Sequence, residues 1–147
     1  MLKYLKKITM KIEPGRYIVG SSGTLLTTIT NISKTPSKKF VGVDSGFNHF
    51  IRPILYGAFH EIINASKISG LTEEVVVVGN ICESGDIFSR TKDSVIRSIT
   101  EPKIGDCIAI MDTGAYGYSM SHQFNTRPRP PEVLLDGNKI TARFLVN

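Results

Sequence analysis

Short runs rich in β-branched residues alternate with glycines and polar residues along the chain. The continuous apolar run Val75-Val76-Val77-Val78 indicates a buried strand. Asp136-Gly137-Asn138 indicates a hairpin turn, because Asp-Gly tolerates positive φ at little cost. Many short strands with glycine turns predict a mostly β fold, closed as a barrel or sandwich-like. The first strand is expected to bend or bulge at its glycines, and strands are expected at residues 17–32, 39–44, 60–65, 74–78, 104–111, 131–135 and 139–146.

Little helix is expected. Residues 48–55 are predicted to form a short helical turn that Pro53 interrupts. Residues 116–123 are predicted to form a second short helix, and residues 89–101 a polar connection.

The size and charge of the chain limit its function classes. A length of 147 residues is typical of one domain with a real core. The net charge of +5 is compatible with nucleic-acid binding, but the lysines lack the interleaved aromatics of a base-stacking surface. No segment approaches the roughly 20 apolar residues of a membrane span, or has the length of a signal peptide. We therefore expect no nucleic-acid or membrane partner and a cytoplasmic location.

Two cysteines occur, and their spacing matches no metal motif. Cys107 lies in an apolar run and is expected in the core. Cys82 lies in Gly79-Asn80-Ile81-Cys82-Glu83-Ser84-Gly85-Asp86, directly after the predicted buried strand. Strand-edge cysteines are more often inert than reactive. A thiol beside a carboxylate at the end of a rigid strand is nevertheless a common way to present catalytic groups.

Three further unusual runs flank the cysteine in order: Glu13-Pro14-Gly15-Arg16, Ile51-Arg52-Pro53-Ile54-Leu55-Tyr56 and Gly114-Ala115-Tyr116-Gly117. Together they resemble the C-terminal part of the diaminopimelate decarboxylases, pyridoxal-phosphate enzymes of the alanine racemase / ornithine decarboxylase class. The resemblance covers about residues 8–145. The second run and the tail at 125–133 resemble the diaminopimelate branch rather than the ornithine decarboxylases. One departure is Asn80, where the family usually has proline.

The resemblance implies a domain organisation. Residues 1–16 would be the last strand of a truncated, cofactor-binding (β/α)8 barrel, and residues 17–147 the C-terminal β domain. The remaining barrel would lie outside this chain, together with the lysine that binds pyridoxal phosphate. The implied partner is a second copy in a head-to-tail homodimer with shared active sites, or a complementing barrel domain.

The resemblance also implies roles at the cofactor. Glu13 would face its pyridine nitrogen, where a carboxylate favours the protonated ring. Gly15 would let the backbone approach the phosphate closely. Arg16 and Tyr116 would contact both cofactor and amino-acid substrate, the arginine through its planar fork of donors.

Four residues are implied at the substrate. Arg52 and Tyr56, four residues apart on one face of a helical turn, would bind its far carboxylate. Glu83 would contact its far ammonium. Cys82 would return a proton to carbon, acting from the neighbouring subunit.

The implied function is the decarboxylation of meso-2,6-diaminopimelate to L-lysine and carbon dioxide in lysine biosynthesis, with this chain inactive alone. Two alternatives stay open at this point. One is another pyridoxal-phosphate decarboxylase of the same fold, and the other is a non-catalytic remnant or binding module. Four other titratable residues lack any ligand spacing and receive no chemical role, namely His49, His60, Asp86 and His122.

Overall fold

The computed structural model describes residues 9–144. Over this range the chain is mostly β, as predicted, with two helices of four and five residues. The strands are β1 (Leu25–Lys34), β2 (Lys39–Val43), β3 (Ile62–Asn64), β4 (Thr72–Val78), β5 (Arg97–Thr100), β6 (Cys107–Ile110), β7 (Glu132–Asp136) and β8 (Lys139–Phe144). The helices are α1 (Arg16–Val19) and α2 (Arg52–Tyr56), with 3-10 turns at Gly20–Ser22 and Phe124–Thr126.

Six strands form one sheet in the order β3-β6-β1-β2-β4-β5. Only the β2–β4 pair is parallel. The two edge strands approach each other, and the Asn64 side-chain amide reaches the Thr100 carbonyl at 3.5 Å. The sheet is therefore nearly closed into a barrel, which confirms the predicted fold class.

The core lies inside this sheet. Strand β1 alternates exposed and buried positions along its first half, so one face points inward. Residues Val75, Val76 and Val77 of β4 are all buried, as the continuous apolar run predicts. The remaining buried apolar side chains of this cluster come from several strands and two loops, and include Ile29, Val41, Val43, Phe50, Phe88, Ile99, Ile108 and Ile110.

The predicted strand at 17–32 is wrong in its first half. Residues 16–22 are helical, and the strand begins at Leu25. The cause is a distant segment, because the amides of Thr113 and Gly114 donate to the carbonyls of Gly23 and Gly20 at 2.9 Å. A Cβ on Gly114 would overlap this backbone, so the close approach requires glycine. These tertiary contacts override the strand preference of the β-branched residues.

Two other predictions are wrong. Residues 116–120 form turns and 121–123 have no regular structure, so the predicted helix is absent, and Tyr116 has a left-handed backbone with φ of 64°. The supposed polar connection at 89–101 contains strand β5, which pairs with β4 and buries only Ile99 completely. A strand that buries one side chain leaves a weak hydrophobic pattern.

The C-terminal hairpin of β7 and β8 stands apart from the main sheet. Its two-residue turn has Gly137 at φ 57°, which confirms the predicted Asp-Gly turn. Its apolar residues Val133, Leu134 and Leu135 remain exposed.

The predicted barrel strand lies partly outside the described residues, since 1–8 are not among them. Residues 9–14 belong to no helix or strand. The proposed division at residue 16 stays a prediction.

Truncating the core should destabilise the sheet. Ile108 is 0% exposed, so Ile108→Ala should lower the free energy of unfolding by about 2–5 kcal/mol, through lost burial and the cavity left behind. Ile104 is 65% exposed, and Ile104→Ala should change it by less than about 0.5 kcal/mol. Urea unfolding followed by circular dichroism measures both. Equal losses in the two variants would contradict this description of the core.

Candidate active site

Arg52 lies between two tyrosines. Its guanidinium carbon is 5.5 Å from the ring centre of Tyr56 and 5.3 Å from that of Tyr116. Cation–π contacts of this length hold an arginine side chain in place without neutralising its charge. The two tyrosines are half exposed, and the arginine is partly buried. The structure thus brings together three of the residues predicted to bind substrate.

Helix α2 presents Arg52 and Tyr56 on one face because they are four residues apart. Pro53 sits in its first turn, where a missing N–H costs nothing. Gly57 ends the helix in the left-handed conformation at φ 59°, and a Cβ there would approach the Lys92 amide at 2.9 Å. The predicted helical turn is therefore present, shifted towards the C-terminus, and Pro53 is its second residue instead of interrupting it.

His60 lies beneath Arg52 and is buried. Its Nδ1 is 2.9 Å from the Met111 carbonyl oxygen, and the Arg52 Nε–H donates to its Nε2 at 3.4 Å. The edge of the ring meets Phe50 at 4.6 Å between centroids. Burial lowers the pKa of His60 below its ordinary value, and the nearby charges of Arg52 and Arg16 lower it further. No spacing in the sequence identifies this residue.

Tyr116 is held in its left-handed backbone conformation by the turn at 114–120. The neighbouring Gly117 is required, because a Cβ there would overlap the Thr113 carbonyl. The Tyr116 hydroxyl lies 3.6 Å from the position that a Cβ on Gly15 would take. The Gly15 backbone and this hydroxyl are therefore neighbours, although 101 positions separate them in sequence.

Glu13 and Arg16 lie on the same exposed segment as Gly15. Neither forms an ion pair with another residue in the part of the chain that the structure describes. Arg16 is close enough to His60 for its charge to affect the histidine pKa. It therefore belongs to the side of the molecule that carries Arg52.

The loop that carries Cys82 is organised by the buried carboxylate of Asp86. The amides of Phe47 and Ile81 donate to its two oxygens at 2.8 and 2.9 Å. A Cβ on Gly79 would overlap this carboxylate, so the loop needs glycine there. Burial raises the pKa of Asp86, although the two amide hydrogen bonds oppose the shift. Asp86 was assigned no role from sequence, since its partners are backbone groups that no motif identifies.

Asn80, the departure from the family pattern, adds a further tie to this loop. Its backbone N–H donates to the Ser45 carbonyl at 3.0 Å, a bond that proline cannot make. The departure therefore changes how the turn before Cys82 is held.

The loop presents Cys82 and Glu83 to the surface, and both are exposed. The Glu83 carboxylate accepts the Gly85 amide at 3.1 Å. Among residues 9–144, no hydrogen bond, ion pair or cation–π contact joins Cys82 or Glu83 to Arg52. The predicted site residues of one chain therefore form a group at Arg52 and a group at Cys82 that no such contact joins, although Gly85 of the cysteine loop lies next to Ile54 of α2. Cys107 is half-buried on β6, and its backbone N–H donates to the Ser66 hydroxyl oxygen at 2.9 Å.

The family follows from comparison with known proteins. The sequence profile of the pyridoxal-dependent decarboxylase C-terminal sheet domain matches residues 16–114. The chain belongs to the pyridoxal-dependent decarboxylases. The resemblance inferred from the sequence motifs is thereby confirmed.

The similarity is to diaminopimelate decarboxylases in particular. The enzyme of Methanothermobacter thermautotrophicus is 48% identical over 132 residues, which are 89% of this chain and 29% of that protein. The Escherichia coli enzyme is 42% identical over 140 residues, 90% of this chain and 33% of that protein. The crystal structure of the M. jannaschii enzyme in complex with L-lysine matches with a TM-score of 0.80 at 40% identity, covering 95% of this chain and 31% of that one. The chain therefore spans about a third of the length of these decarboxylases.

The residues of this decarboxylase chain fit part of a pyridoxal-phosphate site. The Gly15 backbone, which lacks a side chain, faces the Tyr116 hydroxyl. That hydroxyl donates to no other residue within 9–144, and an arginine with free donors, Arg16, is adjacent in sequence. Such a donor set suits a phosphate group. Within the described residues, no cluster of three or more His, Cys, Asp or Glu side chains fits a metal, and no helix is long and apolar enough to cross a membrane.

Asp86→Asn should loosen the cysteine loop of this decarboxylase domain. The two carboxylate oxygens accept from two amides, so an amide side chain must turn its NH₂ group towards one donor. We expect a loss of about 1–3 kcal/mol in unfolding free energy at neutral pH. Asp93→Asn, at an exposed carboxylate in a neighbouring turn, is the matched control. Urea unfolding measures the free energy of unfolding of both variants. An Asp86→Asn variant as stable as the parent chain would contradict the role assigned to Asp86.

A second measurement is the pH dependence of the unfolding free energy of the parent chain and of Asp86→Asn. Because the pKa of Asp86 is raised in the folded chain, its contribution to stability is full below the ordinary pKa and is lost as pH rises through the folded pKa. The Asp86→Asn variant has no carboxyl group to titrate at this position. Its unfolding free energy should therefore lack this contribution at acidic pH. The stability loss caused by the substitution should therefore be larger at acidic than at neutral pH.

Proposed function

We propose that the chain is the C-terminal domain of a diaminopimelate decarboxylase that converts meso-2,6-diaminopimelate to L-lysine and carbon dioxide in the cytoplasm. The observation that carries the proposal is the Arg52 guanidinium, held between Tyr56 and Tyr116, whose own hydroxyl lies next to Gly15. A fixed, charged arginine beside a phosphate-type donor set suits a substrate with a second carboxylate. The identity of 42–48% to diaminopimelate decarboxylases supports this substrate.

Pyridoxal phosphate supplies the electron sink for the electron pair left when carbon dioxide departs. The chain offers four residues to hold it. Gly15, Arg16 and Tyr116 would hold its phosphate by backbone approach, charge and hydroxyl donation. Glu13 would face the ring nitrogen, where its negative charge would favour the protonated ring. No lysine of this chain lies in a context that matches the cofactor-binding lysine of the family.

Substrate selection rests on the far end of diaminopimelate, which carries its own carboxylate and ammonium. Arg52 and Tyr56 bind that carboxylate by charge-assisted hydrogen bonds. Glu83 accepts hydrogen bonds from the ammonium. Arg16 and Tyr116 contact the substrate at its reacting end, next to the phosphate.

Cys82 delivers the proton that replaces carbon dioxide. No polar contact joins Cys82 or Glu83 to Arg52 within one chain, so we propose that Cys82 and Glu83 reach the site from a second copy. This arrangement favours a head-to-tail homodimer with active sites at the interface. A complementing barrel domain supplies the remainder of each site.

The proposal is tested with a chimaera in which this chain replaces the C-terminal third of the Methanothermobacter thermautotrophicus enzyme. We expect the chimaera to release lysine from meso-diaminopimelate, and the 147-residue chain alone to release none. Activity on another diamino acid in preference to diaminopimelate would favour a decarboxylase of different specificity. A folded, dimeric, cofactor-loaded chimaera without any activity would favour a non-catalytic remnant.

Cys82→Ala in the chimaera should lower turnover by roughly 100- to 10,000-fold with little change in KM, because general-acid help is lost after carbon dioxide has left. Cys107→Ala is the control, since its thiol lies on a strand of the sheet, and it should affect stability but not turnover. Steady-state lysine release measures both. Unchanged turnover in the Cys82→Ala chimaera would show that this thiol has only a structural role.

Arg52→Met should reduce kcat/KM for diaminopimelate by two to three orders of magnitude. Leaving a shielded carboxylate without its partner costs about 3–5 kcal/mol. Since about 1.4 kcal/mol corresponds to a factor of ten, this cost accounts for the expected loss in kcat/KM. The loss should be much smaller for lysine offered as a substrate, because its single carboxylate is then the one that leaves and its far end carries only an amine.

The matched control is Arg129→Met, because Arg129 also stacks on a tyrosine, at 5.6 Å from Tyr118. It should leave the ratio of the two specificity constants unchanged. If Arg52→Met also leaves that ratio unchanged, the arginine serves only the fold.

A further inference from the structure

We propose that His60 is a positioning residue for Arg52: its neutral ring, protonated on Nδ1, accepts the Arg52 Nε–H and releases the arginine when the ring takes up a second proton. The inference about the contact rests on the fold alone. Its consequence for substrate binding rests on the proposed function of Arg52.

The partners of His60 allow only one neutral tautomer. The Met111 backbone carbonyl, 2.9 Å from Nδ1, can only accept, so Nδ1 must carry the hydrogen. The Arg52 Nε–H, 3.4 Å from Nε2, can only donate, so Nε2 must present its lone pair. The second contact is long for a hydrogen bond, but its donor is charged. The ring therefore links the end of β6 to the first residue of α2.

Packing holds the ring in this orientation. His60 is 2% exposed, and its plane is nearly perpendicular to that of Phe50, at an interplanar angle of 84°. Rotation of the ring would break the bond to Met111 and the edge contact with Phe50. Arg52 therefore meets a fixed acceptor on its inner side, while the two tyrosines hold its outer side.

The charges around His60 favour the neutral ring. Arg52 from α2 and Arg16 from α1 face it with positive charge, and Asp112, after β6, opposes them with negative charge. Burial and the two arginines together keep the pKa of His60 below its ordinary value of 6.5. A second proton would turn Nε2 into a donor that faces a donor. Arg52 would then lose its inner partner.

His49 provides an internal control of the same residue type. Its Nδ1 lies 2.9 Å from the Ser45 hydroxyl, and its Nε2 lies 3.0 Å from the Pro128 carbonyl. The carbonyl can only accept, so His49 must carry its hydrogen on Nε2. The two histidines are therefore expected in opposite tautomers.

The contact is tested on the 147-residue chain by long-range ¹H–¹⁵N correlation NMR of its three histidine rings. His60 should show the Nδ1–H tautomer, His49 the Nε2–H tautomer, and His60 should titrate below pH 6.5. Arg52→Met should raise the His60 pKa and leave that of His49 unchanged. An Nε2–H tautomer at His60, or a His60 pKa that is unchanged in Arg52→Met, would overturn the proposal.

The functional consequence is tested in the chimaera. His60→Asn keeps a donor for Met111, but its shorter side chain no longer places an acceptor at the Arg52 Nε–H, so KM for diaminopimelate should rise about tenfold while kcat is little changed. His49→Asn should leave the ratio of specificity constants for diaminopimelate and lysine unchanged. In the parent chimaera, KM for diaminopimelate should rise as pH falls through the His60 pKa. His60→Gln, which keeps an acceptor but cannot titrate, should remove that rise.

The NMR experiment and the chimaera experiment can fail independently of each other. An inactive chimaera with the expected NMR behaviour would reject the proposed function and retain the His60–Arg52 contact. An active chimaera in which His60→Asn leaves KM unchanged, or lowers kcat alone, would overturn the positioning role. If His60→Asn does not fold, the titration of Arg52→Met decides the question by itself.

Discussion

The buried carboxylate of Asp86 is the constraint on which the arrangement of the site residues depends. It fixes the amides of Ile81 and Phe47, so it joins the cysteine loop to the segment that leads into helix α2. The same segment binds the residues after the Tyr116 turn, since the His122 amide donates to the Asn48 carbonyl at 2.8 Å. Three loops that carry candidate site residues are therefore linked around one charge. Burying the Asp86 carboxylate is unfavourable unless the loop amides donate hydrogen bonds to it. The loops must therefore take up their positions relative to one another at the same time.

Each group of site residues depends on a polar residue buried behind it. Asp86 supports Cys82 and Glu83, while His60 supports Arg52. In both places the supporting side chain is buried and the supported ones are more exposed. In the proposed head-to-tail dimer, this division would let one chain contribute to two active sites.

Much of the sheet is predictable from sequence, because strands such as β2 and β4 bury continuous or alternating apolar side chains. The helical segment at 16–22 was missed because it is fixed by amides of residues 113 and 114, about 90 positions away. Strand β5 was missed because only Ile99 of its four residues is fully buried.

The candidate site residues were predicted from their motifs, and the structure places Gly15, Arg52, Tyr56 and Tyr116 together. The supporting residues Asp86 and His60 could not be predicted. Their main partners are backbone groups from other loops, and such partners leave no pattern of residue types in the sequence.

A crystal structure of the chimaera with L-lysine bound decides whether Arg52 binds the far carboxylate of the substrate. As the reaction product, L-lysine retains the amino-acid head that is not decarboxylated. We expect its carboxylate within about 3 Å of the Arg52 guanidinium, with its α-ammonium at Glu83 of the second copy. A bound lysine whose carboxylate contacts other groups, while Arg52 stays against His60 without touching the ligand, would show that Arg52 does not bind the far carboxylate.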